Sequence, residues 1–177
     1  MISADEQDQD YCTPPWVVQD VVEAMGPIAL DPCATRSGLY RTVLAETCLT
    51  VDDAPGYFSA NWTKLAGGGL IYVNPEYGGG DLPSERWMER VHHWASAGET
   101  IVCLLRVSTG SKWWHKYVVP VTRECMFYNG RIKFWDPRTG KETHGNMHDS
   151  AMLLLGGAAR IERDRFCFTM GKRGWVV

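Results

Sequence analysis

Apolar positions along this chain change period as it proceeds. After Thr13-Pro14-Pro15, the residues Trp16, Val17, Val18, Val21, Val22 and Met25 recur at helical spacing. That spacing predicts a helix with Thr13 at the N-cap, Pro14 in the first position and Gly26 as its stop. Ile28-Ala29-Leu30-Asp31 is a short continuous apolar run closed by an acid, which reads as a buried strand. Residues 35–48 follow neither period. Leu49-Thr50-Val51 predicts a second strand, ended by Asp52-Asp53. Gly67-Gly68-Gly69 then leads into Leu70-Ile71-Tyr72-Val73, a β-branched and aromatic strand that stops at Asn74-Pro75. Ser84 is placed to cap a helix with Trp87, Val91 and Trp94 on one face, terminated at Gly98.

Thr100 to Leu105 is a further buried-type strand, and Ser111 to Val118 a short helix. Beyond this point strands dominate. Cys125 to Tyr128, then Asn129-Gly130, then Arg131 to Trp135 predicts a hairpin, because Asn-Gly suits a type I′ turn. Further strands are expected at 151–155 and 165–168. Helices that alternate with strands early, and strands that predominate late, point to an α/β fold. The expected sheet is doubly wound, mostly parallel, and finished at its far edge by antiparallel strands. With 177 residues and no linker or repeat, residues 11–177 read as one domain behind a polar, flexible N-terminus at 1–10.

Composition changes this picture little. No apolar run approaches the ~20 residues that would span a bilayer, and the acidic N-terminus does not read as a secretory signal. A cytoplasmic protein is expected. The six cysteines form no Cys-x-x-Cys pair and several sit in apolar runs, which favours free thiols over a disulfide framework. Charge adds more. Residues 1–85 hold 3 Lys and Arg against 13 Asp and Glu, whereas residues 86–177 hold 15 against 8. A basic half suits a surface that meets phosphates, and it equally suits two halves that neutralise each other within one fold.

Candidate chemistry lies where two strands end. In an open α/β sheet, ligands bind beyond the carboxyl ends of strands, near the point where strand order reverses. Leu30-Asp31-Pro32-Cys33-Ala34 ends one strand and Val73-Asn74-Pro75-Glu76-Tyr77 ends another. Asp-Pro and Asn-Pro also start ordinary turns. Asn-Pro-x-Tyr gains a mechanism if the substrate is an amino group on a nucleobase, whose lone pair is delocalised into the ring. Asn74 Oδ1 and the Pro75 carbonyl could accept from both N–H groups and favour a tetrahedral nitrogen with its lone pair freed. Tyr77 offers a flat face for an extruded base, and Glu76 adds a carboxylate beside it.

Asn74-Pro75-Glu76-Tyr77 resembles the Asn/Asp-Pro-Pro-Tyr motif of amino-methyltransferases. The wider order matches as well: Tyr11-Cys12-Thr13-Pro14, Asp31 to Ala34, Asp52-Asp53, Trp62, Asn74 to Tyr77, Trp113-Trp114, and Gly130 to Phe134. From about Tyr11 to Trp135, the chain is similar to the phage-type, Dam-like DNA N6-adenine methyltransferases. The resemblance implies a Rossmann-like fold dependent on S-adenosylmethionine, with DNA as partner and a phage or prophage origin in a bacterial host. Asp31, Pro32, Cys33 and Ala34 would lie against the methionine part of the cofactor, Thr13 and Pro14 would help close that pocket, and Asp52 or Asp53 would approach the adenosine. Asn74, Pro75 and Tyr77 would hold the target base. Arg131 and Lys133 would contact phosphate, or else decorate a solvated hairpin.

Glu76 stands where the family usually has Pro. Three consequences are open: tolerance, a different target such as the N4 amino group of cytosine, or a fold that binds nucleic acid without catalysis. Other motifs carry less. His144 and His148 have metal-like spacing without a third ligand, so solvent-facing side chains are expected. His92-His93 sits on a predicted helix, where adjacent residues point apart. Gly78-Gly79-Gly80 lacks the Lys-Ser/Thr of a phosphate loop and reads as a flexible loop beside the site. Trp62 and Trp113-Trp114 are candidate stacking positions, although core is the default for each.

Overall fold

The computed structural model describes residues 11–36, 39–50, 53, 58–75, 83–143 and 147–177. Helix α1 spans Pro15–Met25 and leads into β1, Ile28–Asp31. Strand β2 is Thr47–Cys48, α2 is Trp62–Ala66, β3 is Leu70–Val73, α3 is Ser84–Ser96 and β4 is Thr100–Arg106. A π-helical turn, Trp114–Val118, and a 3-10 turn, Val119–Val121, precede β5, Thr122–Tyr128. Then follow β6, Trp135–Asp136; β7, Lys141–Glu142; β8, Ser150–Gly156; α4, Arg160–Met170; and β9, Gly174–Val176.

Among the described residues, seven strands form one sheet in the order β2-β1-β3-β4-β8-β5-β9. β2, β1, β3 and β4 are parallel to one another. β8 runs antiparallel between β4 and β5, and β9 closes the far edge antiparallel to β5. The expected parallel sheet finished by antiparallel strands is therefore present.

Strand residues alternate between two cores. Ile71, Val73, Ile101, Cys103, Leu105, Leu153 and Leu155 face α2, α3 and the π-helical turn, where Trp62, Trp87 and Val91 are buried. Ile28, Leu70, Tyr72, Val102, Leu104, Met126, Met152 and Leu154 face α1 and α4 across Val17, Val21, Phe166 and Met170. A sheet covered on both faces explains the continuous apolar runs of β1, β3 and β4. All six cysteines are free, and no helix among the described residues is long and apolar enough to cross a membrane.

Several local expectations need correction. The α1 N-cap is Pro14, with Pro15 inside the first turn, and no side chain caps the helix, so Thr13 is released for another task. Pro83 takes the N-cap place expected of Ser84. The second strand lies at Thr47–Cys48, earlier than Leu49-Thr50-Val51. The hairpin at Asn129-Gly130 does not form. A type I′ turn needs positive φ at both central residues, and only Gly130 has it. Instead β5 pairs with β8 and β9, while Trp135–Asp136 pairs with β7. Residues 165–168, expected as a strand, lie inside α4.

Candidate functional site

β1 lies between β2 and β3, so the chain leaves β1 to one side and returns on the other. That is a topological switch point, and the carboxyl ends of β1 and β3 open side by side there, about 4.8 Å apart in the strand-pairing direction. A small cleft occupies this position, and Thr13, Asp31, Cys33, Ala34, Tyr72 and Asn74 contribute to its lining. Asp31, Cys33 and Ala34 from one strand end and Asn74 from the other therefore line one cleft.

Asp31 ends β1 almost without solvent access. Its Oδ1 accepts from the Cys33 backbone N–H at 3.1 Å, a tight Asx turn set by the following Pro32. Burial pushes its carboxyl up to about 7, opposed by the Cys33 hydrogen bonds and by the Arg41 guanidinium. A carboxylate held this dry, with burial outweighing the Arg41 charge, favours a cationic ligand. Burial also pushes up the Cys33 thiol, and the neighbouring Asp31 adds to the shift.

Asn74 follows β3. Its Nδ2 donates to Thr13 Oγ1 at 3.1 Å. Thr13 Oγ1 also hydrogen-bonds the Tyr72 hydroxyl at 2.8 Å, both groups being buried. Asn74 Oδ1 is shielded from solvent and has no hydrogen-bond partner among the described residues. Six other buried side-chain atoms among the described residues are likewise unpaired, Thr42 Oγ1 in the same cleft among them; Asn74 Oδ1 differs in being able only to accept, at the end of a parallel strand beside the switch point. Pro75 is buried directly after it.

The remaining expected residues divide. Pro14 and Pro32 are buried where the chain enters the cleft region. Asp53 turns its carboxylate to the Thr50 backbone N–H and hydroxyl, at 2.6 and 3.0 Å, which lowers its pKa. It does not line the cleft. Asp52, Glu76, Tyr77, Gly78 to Gly80 and His144 lie outside the described residues.

Arg131 and Lys133 are exposed on the stretch that runs from the end of β5 back to Trp135, which bridges to Cys12 beside the cleft. Ile132 between them is buried, so the two cations share a solvent side. Among the described residues, Arg131 pairs loosely with Asp149 at 3.8 Å and Lys133 with Glu142 at 3.9 Å.

Trp62 and Trp114 belong to the core and are not available for base stacking; Trp113 packs against the same core. His92 bonds the Tyr117 carbonyl and His93 packs on the edge of Trp94. Among the described residues, no group of His, Cys, Asp and Glu could hold a metal ion.

Tyr72, Cys12 and Arg41 also line the cleft, and no motif of the sequence assigns them a role. A signal existed for Tyr72: a tyrosine within a fully buried strand must find a partner for its hydroxyl. Arg41 came from the stretch without periodicity and gave none.

A family model described as DNA N-6-adenine-methyltransferase (Dam) matches residues 2–173. No curated protein matches the chain.

Proposed function

The chain belongs to the DNA N-6-adenine-methyltransferase (Dam) family, and from that membership we propose that it transfers a methyl group from S-adenosylmethionine to the N6 amino group of adenine in DNA. The observation that carries this reading is the Oδ1 of Asn74, without a partner among the described residues, at the switch point and in the same cleft as a buried carboxylate.

The cleft's chemistry fits the cofactor. Asp31, dry and inclined to accept a positive neighbour, would hold the ammonium group of its methionine part, with Cys33 and Ala34 against the chain. Asp52 or Asp53 would approach the adenosine, Asp53 with the carboxylate oxygen that Thr50 does not hold. When bound, the cofactor supplies an electrophilic methyl group on a sulfonium sulfur.

The protein's own part is to make the N6 nitrogen a nucleophile. Asn74 Oδ1 and the Pro75 carbonyl would each accept an N–H of the adenine amino group, drawing its lone pair out of conjugation. Tyr77 would stack on the base once it leaves the helix. No strong base is needed, because the methylated ammonium sheds its proton readily to water or to Glu76. Arg131 and Lys133, on one solvent side next to the cleft, would bind the flanking phosphates. Their ion pairs are exposed and therefore weak, so phosphate can replace Asp149 and Glu142.

The test is methyl transfer from labelled cofactor to unmethylated DNA, with the product digested to nucleosides. Label in N6-methyladenine is expected, and Asn74→Ala should lower kcat by about 100-fold or more. Label in N4-methylcytosine would keep the mechanism and replace the target. Cofactor binding without transfer would point to Glu76, with Glu76→Pro as the variant to restore activity. Loss of both binding and transfer would overturn the reading.

A further inference from the structure

Thr13 sits beside the start of α1 yet does not cap it, and its hydroxyl lies instead between two residues some sixty positions away. It hydrogen-bonds the Tyr72 hydroxyl at 2.8 Å and accepts from Asn74 Nδ2 at 3.1 Å. The consequence concerns the Asn74 side chain as a whole. A carboxamide is nearly symmetric in shape, and turning it over would exchange its acceptor for its two donors. With Nδ2 engaged by Thr13, the oxygen is left as the part of the amide without a partner among the described residues.

We propose that Thr13, its own proton given to the Tyr72 hydroxyl so that it can only accept from the amide, and Tyr72 are positioning residues that hold the Asn74 amide with Oδ1 turned toward the substrate amino group. This rests on the reading of Asn74 given above and extends it to two residues that need not touch the base. Tyr72 lies within the β3 core pattern, fully buried in the core that β3 shares with α1 and α4. A phenylalanine would fill that space equally well, so the hydroxyl serves the relay rather than the packing. Thr13, two residues before α1, ties the chain entering that helix to the end of β3.

The expected behaviour separates orientation from binding. Thr13→Val keeps the shape and removes the acceptor, freeing the amide to turn. Its kcat should fall by roughly 10-fold, with KM for DNA within about 3-fold of the parent, the scale of one hydrogen bond. Thr13→Ser should restore kcat, which a packing role for the methyl group would not predict. Tyr72→Phe should lower kcat in the same sense by a smaller factor. Neither Thr13→Val nor Tyr72→Phe should add to the loss in an Asn74→Ala background, measured by single-turnover methylation.

Unchanged kcat in both Thr13→Val and Tyr72→Phe, in a parent enzyme that methylates DNA, would overturn the proposal and leave the activity standing. A fall in kcat that Thr13→Ser fails to restore would also overturn it, in favour of packing. Absence of methylation by the parent itself would strike the underlying reading instead.

Discussion

Asp31 carries the clearest pH signature of any single residue here. Its carboxyl titrates near 7 in the folded chain, against 3.8 ordinarily, chiefly because it is buried. The native state thus binds this proton more tightly than the unfolded chain does. The resulting stability is fully present below about pH 4 and is lost as pH rises through about 7. Asp31→Asn keeps the shape and cannot ionise, so relative to the parent it should gain roughly 2–4 kcal/mol between pH 4 and 8. Urea melts at the two pH values measure the gain; parallel behaviour of variant and parent would show that Asp31 does not titrate in this range. The same variant should bind the cofactor more weakly. Asp31 and Asn74 were legible because each closes an apolar run. The partners of Asn74 were not, since the bond to Thr13 spans 61 positions and no local pattern records it.

At the scale of elements, legibility follows burial. β1, β3, β4 and β8 are buried along most or all of their length and announce themselves by composition. Helix α4 does not. It buries only Phe166, Thr169 and Met170 while Ile161 and Phe168 face solvent, so its apolar residues mark no helical stripe, and Phe166-Cys167-Phe168 mimics a strand. Glycines show a similar dependence on surroundings. Gly156 ends β8 at φ +80°, and a Cβ there would meet the Glu99 carbonyl oxygen at 2.0 Å. Gly67 ends α2 at φ +56° with open space around it. Gly156→Ala should therefore destabilise the fold by about 3 kcal/mol or more, and Gly67→Ala by only about 1. Urea midpoints compare them; equal losses would mean that the contact with Glu99 relaxes.

For the molecule as a whole, the uneven charge seen in the sequence acquires a place. Arg131 and Lys133 lie on the basic half, on the chain that passes from β5 back to the cleft. Replacing both with Gln should weaken DNA binding without regard to sequence and flatten the slope of log affinity against log salt by about 2. Titrations at several salt concentrations read this directly; an unaltered slope would remove both residues from the phosphate contacts. The sheet order explains why strands predominate late in the chain, because the antiparallel half is assembled from β5, β8 and β9. The sequence could not reveal that β8 enters between two earlier strands.

That insertion has a consequence in time. While the chain is being made, β4 and β5 emerge well before β8, and each must wait with an edge that only β8 will fill. Seven consecutive buried residues, Ser150 to Gly156, enter the sheet between β4 and β5 after both have been made, with only β9 still to follow. A nascent chain is thus held open until nearly all of it has been synthesised, with unpaired apolar edges that invite association with other chains. Chains stopped after residue 148 should show no protease-resistant core, whereas the full chain should. A resistant fragment from the shorter chain would mean that the parallel half folds on its own, ahead of the strand that joins it to the rest.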